Sequence, residues 1–136
     1  GRQVIALSDG FLVLGNHGLE SDKSLDPIVF RTNRDRQVQW RRQLSLPGNE
    51  NLAFALALPD QQILAVCHHR NENGWVRDSF LWIIAEDGRS DKTLAARKGE
   101  RIWAALPLGE GRVALITSSD PVNGETNGSL VEVRIP

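Results

Sequence analysis

The sequence predicts an all-β chain of short antiparallel strands, and three observations carry that reading. The run "LSDGFLVLGN" near the start returns as "LPDQQILAVC" and again as "LPLGEGRVALIT", at intervals of about fifty residues. The apolar runs are short, partly β-branched or aromatic, and bounded by turn residues, which favours strands over helices. Glycine follows aspartate at Asp9-Gly10 and Asp87-Gly88, where a tight hairpin would use it.

The elements follow in chain order. Laying residue 4 on residue 55 matches Val4, Ile5, Ala6 and Leu7 with Ala55, Leu56, Ala57 and Leu58. The apolar run from Leu12 then meets the run from Ile63, which brings His17 onto His68. In a third copy Ala105, Leu106 and Pro107 fall on Ala57, Leu58 and Pro59, and Val113, Ala114 and Leu115 on the second run. Each copy continues with a polar loop: "NHGLESDKSLDP", "HHRNENGWVRDS" and "SSDPVNGETNGS". A further apolar run comes next: "PIVF", "SFLWII" and "SLVEV". The first two copies add a fourth segment, "NRDRQVQWRRQL" and "EDGRSDKTLAA"; the third does not. In the first of these, alternation predicts Val38, Trp40 and Leu44 on one face, with Gln37, Gln39 and Gln43 on the other. Helical readings exist for "ENLAFALALPD" and "TLAARKGERIW". The equivalents of the first, "QVIALSDG" and "IWAALPLG", are poor helix formers, so strands are expected.

The units run over about 3–50, 51–101 and 102–136 of one domain. Four antiparallel strands with inner members apolar on both faces describe a β-propeller blade. The expected fold is therefore about three four-stranded antiparallel blades, the last incomplete. A β-sandwich or barrel of ten or eleven strands is the alternative. Two stretches, Asp9-Gly10-Phe11-Leu12-Val13-Leu14-Gly15 and Asp35-Arg36-Gln37-Val38-Gln39-Trp40, resemble the repeats of bacterial β-propeller proteins, the quinoprotein-like families among them. The layout covers all three copies. The Asp-to-Trp motif occurs once, since the second copy has Thr93 and Leu94 near the tryptophan position. The resemblance implies a fold and no enzyme.

Propellers close with about four to eight blades, so three leave two apolar blade faces to be covered. A chain without methionine that begins at Gly1 is expected to be a processed piece or part of something larger. The expected partner is a protein: another chain or fragment that completes the propeller, or a second copy making a six-bladed ring. A net charge of −1 creates no field for nucleic acid or an anionic membrane. No apolar run approaches the roughly 18–20 residues of a membrane span. Cys67 is the only cysteine, which forbids an internal disulfide and leaves the compartment open.

The candidate binding residues lie in the three polar loops, which should share one rim. In "NENGWVRD", Trp75 is placed to anchor a partner or a sugar ring beside Asn73 and Arg77, or to fold back over the loop base. His17 and His68 read as similar loop positions one blade apart. Asp120 in "TSSDP" sits in the third loop, next to Ser118 and Ser119 as turn residues. Cys67, His68 and His69 suggest metal ligands, yet neighbours on a strand point to opposite faces and no second cluster has zinc spacing, so no metal is expected. Trp40, Trp82 and Trp103 read as packing residues. No phosphate loop or nucleophile motif is present, so neither catalytic residues nor a cofactor are expected. The functional reading is a non-catalytic propeller module for protein–protein interaction or sensing. The competing reading is a carbohydrate-binding or enzymatic propeller whose ligand occupies the same rim loops.

Overall fold

The computed structural model describes residues 3–18, 25–46, 48–71, 73, 76–95, 99–119 and 128–136, with Arg77 and Ala95 described by backbone alone. Its elements are β1 (Gln3–Leu7), β2 (Gly10–His17), β3 (Asp26–Asn33), β4 (Val38–Gln43), β5 (Asn49–Ala57), β6 (Ile63–Arg70), β7 (Val76–Ile84), β8 (Asp91–Ala95), β9 (Glu100–Gly109), β10 (Arg112–Ser119) and β11 (Gly128–Arg134). No helix occurs among the described residues, and "ENLAFALALPD" is strand β5 followed by a turn. The strands form three antiparallel meanders: β1-β2-β3-β4, β5-β6-β7-β8 and β9-β10-β11.

The three sheets stack in chain order, because each of two apolar cores joins neighbours. Leu12, Leu14 and Val29 of the first sheet pack with Leu52, Ala65, Phe80 and Trp82 of the second. Leu64, Val66, Leu81 and Ile83, on the other face of the second sheet, pack with Ile102, Val113 and Leu115 of the third. The middle sheet is thus covered on both sides, which explains why "ILAVC" and "FLWII" are apolar without alternation. We call the side of each sheet that points toward the chain's earlier sheet its leading face, and the opposite side its trailing face. Three layers of sequential meanders are blade-like, and they differ from a two-layer sandwich.

The hydrogen-bond ladders of the second and third sheets superpose rung for rung. Leu52 pairs with Cys67 and Ile102 with Thr117; Phe54 pairs with Val66 and Ala104 with Ile116. Each first strand carries a bulge between those rungs, at Ala53 and at Trp103. The offset is fifty residues throughout this hairpin, so Leu56 corresponds to Leu106 and Ala57 to Pro107. The sequence match of Ala105 with Ala57 is therefore two residues out of register. Between the first and second sheets, Leu14 pairs with Val29 as Val66 pairs with Leu81, an offset of fifty-two. That register sets Asn16, and not His17, against His68.

Bulges also correct two expectations about tryptophan strands. Arg31 pairs with Trp40 but Thr32 with Val38, so Gln39 is an extra residue. Trp40 keeps the trailing face with Leu44, while Val38 turns to the leading face and is 59% exposed. The bulge at Trp103 turns that side chain outward, 52% exposed, rather than into the core.

Glycine is needed for different reasons at the two Asp-Gly pairs. Gly88 has φ 72° and lies under the Trp40 ring, which would collide with a Cβ. Gly10 is a strand residue, where a Cβ would run into the carbonyl oxygen of Thr32. The two-residue turn with positive φ at both positions is Glu110-Gly111, at φ 55° and 73°.

Candidate functional site

The ends of the strands that lead into the long loops carry a polar row. His17 pairs with Asp26, His69 with both Glu50 and Asp78, and Ser119 with Glu100. All lie on leading faces. In the middle sheet the row is part-buried, with Glu50 the buried member: Glu50 Oε1 stands 3.3 Å from His69 Nδ1, and Asp78 Oδ1 stands 4.0 Å from Nε2. The imidazole also lies against Phe80, with ring centroids 4.6 Å apart. This places a half-buried histidine between two carboxylates of its own sheet.

Cys67 lies two residues from His69 on the same face and is fully buried. Burial first, and then the charge of Glu50, push its thiol well above the ordinary range, the reverse of an activated nucleophile.

His68 occupies the trailing face of β6, so it belongs to the seam between sheets and not to the rim. It is 5% exposed. Its Nδ1 is 2.7 Å from Ser79 Oγ, which in turn accepts the Ile102 backbone N–H at 3.0 Å. Ser79 Oγ thus bridges the imidazole and the first strand of the next sheet. Burial, followed by the charges of Arg101 and Arg70, lowers the His68 pKa to about 4.

The other expected site residues are spread out. His17 is exposed at the end of β2, and Asn73 is an exposed turn residue whose N–H donates to Asn71 Oδ1. Trp75, Asp120 and the side chain of Arg77 lie outside the described residues. Ser118 and Ser119 extend β10 rather than forming a turn. Among the described residues no group of three or more His, Cys, Asp and Glu side chains has metal-holding geometry.

Two sheet faces form the surface that the sequence reading did not resolve to residues. On the trailing face of the third sheet, Trp103, Leu106, Ile116 and Leu130 are 52%, 62%, 51% and 78% exposed. Arg101 lies over the Trp103 ring at 4.0 Å, and the indole N–H donates to Ser118 Oγ at 2.6 Å. Arg112 and Glu132 pair at 3.5 Å near the hairpin end. On the leading face of the first sheet, Val4, Phe11, Val13, Thr32 and Arg36 line an open apolar hollow of about 350 Å³. Arg41 covers Phe30 there at 5.5 Å, and Gln43 donates to Asp26. The bulges that turn Val38 and Trp103 outward were invisible in the alternation pattern.

Comparison with protein-family models, curated proteins and solved structures gives no match for this chain.

Proposed function

We propose that the chain is a non-catalytic β-propeller module whose role is protein–protein interaction, with its two outer sheets covered by further blades. One observation carries the reading. The exposed residues of the third sheet stand at ladder positions whose counterparts in the second sheet, Ala53, Leu56, Val66 and Leu81, are buried or part-buried against the next sheet. Leu130 pairs with Ile116 as Leu81 pairs with Val66; the first pair is exposed, while Leu81 is 2% and Val66 0% exposed. A face built like an internal interface and left open supports the idea of a missing neighbour. The parallel registers support three copies of one unit. The buried, high-pKa thiol beside the polar row favours structure over catalysis there.

The test is the mass and polypeptide content of the native particle, for the parent chain and for Ile116→Glu. The reading expects a particle heavier than 15.1 kDa that falls to that mass in the variant while the β-sheet circular dichroism is retained. A parent chain at 15.1 kDa with no companion polypeptide would sink it.

A further inference from the structure

We infer that the neighbour is a second copy of this chain, the trailing face of one third sheet seating on the leading face of the other copy's first sheet, twice over, to close a ring of six sheets. The inference rests on the interaction reading above and specifies its partner.

The two open faces are unlike, and they are the two halves of one kind of seam. Both internal seams join a trailing face to a leading face, and among the described residues the faces left unmatched are the trailing face of the third sheet and the leading face of the first. A contact between unlike faces repeats until it closes, and two copies related by a twofold axis satisfy both faces at once.

Charge placement matches this seating. The internal seam between the first and second sheets sets a trailing-face arginine against a leading-face aspartate, Arg42 with Asp91. The third sheet offers Arg101 on its trailing face near the loop end, where the first sheet's leading face carries Asp26. Near the hairpin end the signs reverse: Glu132 stands on the trailing face and Arg36 borders the hollow on the leading face. Between these ends both faces are largely apolar, with Arg41 laid over Phe30 on the leading face. The Ile116, Leu106 and Leu130 side chains suit a hollow lined by Val4, Phe11 and Val13. Arg112 is held by Glu132, which limits its repulsion of Arg36.

The double variant Asp26→Cys/Arg101→Cys tests the seating in the purified chain. Within one molecule these positions face opposite ways across the stack, roughly 20 Å of sheet spacing, so they cannot form a disulfide with each other. Cys67 is buried and takes no part. The expected result is a parent chain at twice 15.1 kDa by light scattering, and a double variant that oxidises to one covalent dimer. Adding Ile116→Glu should abolish both. A purified parent chain at 15.1 kDa at every concentration overturns the inference, and so does a ladder of covalent polymers, which would mean that the contact does not close. If the purified chain is monomeric but the native particle holds an unlike polypeptide released by Ile116→Glu, the second copy is refuted while the interaction reading stands.

Discussion

The side-chain oxygen of Asn16 accepts the backbone N–H of Leu52 at 2.7 Å, tying the second strand of one sheet to the first strand of the next. Ser79, on the third strand of the second sheet, accepts the Ile102 N–H across the following seam. Both recipients sit immediately before a bulge, where the ladder leaves a backbone donor to be satisfied by the neighbouring sheet. Asn16→Leu should therefore cost about 1–3 kcal/mol, the penalty of an unmatched buried donor. Urea unfolding of Asn16→Leu, Ser79→Ala and the double variant measures it. Near-additive losses are expected, since the two bonds lie in separate seams.

Leu81 and Leu130 share a chemistry and a ladder position but not an environment. Leu81→Ala should destabilise the chain by about 2–5 kcal/mol through the cavity it leaves. Leu130→Ala should change the stability of a single copy by no more than about 0.5 kcal/mol, as at other exposed sites. Equal losses for the two in dilute chemical denaturation would mean that the third sheet's outer face is already covered within one chain.

His68 makes stability depend on pH with a definite sign. Its folded pKa, about 4, lies below the ordinary 6.5, so the unfolded chain binds the proton more readily. The His68 contribution is fully present above about 6.5 and is lost as pH falls through that value toward 4. His68→Asn, which places in the second sheet the residue that Asn16 supplies in the first, should flatten the curve between those limits. Midpoint temperatures of parent and variant from pH 4 to 7 decide it. Parallel curves would remove the assignment.

Cys67 reports on opening of the stack. A buried thiol whose ionisation is opposed by burial and by Glu50 should react with a thiol reagent only through unfolding or separation of the first two sheets. The rate should rise many-fold in Leu14→Ala, whose side chain helps close the same core. Rapid labelling of the parent chain in native buffer would contradict the burial.

Asp91 joins three elements: it accepts from Trp82 Nε1 at 2.7 Å and pairs with Arg42 of the preceding sheet. Asp91→Ala should cost roughly 1–3 kcal/mol, chiefly for the indole N–H left without an acceptor. Arg42→Ala should cost less, since that guanidinium is one-third exposed and partly screened. Thermal melts of the two variants check the order.

The sequence by itself determined the strands, their meander order and the incomplete third sheet. Those follow from local signals: turn residues, short apolar runs, and runs apolar on both faces at Ile63–Cys67 and Phe80–Ile84. What lay beyond it was decided between strands. One extra residue at Gln39 or Trp103 shifts the alternation of its own strand, so that side chains on the two sides of it fall out of phase with each other, and no composition signal marks where the insertion falls. Hence Val38, read as sharing the face of Trp40, and Trp103, read as packing, both stand exposed. His68 read as rim and lies in a seam, because the ladder extends through Arg70 and carries it under the next sheet. A strand's two faces are equivalent in sequence until neighbours cover them, so only the stacked sheets could show which apolar residues remain open.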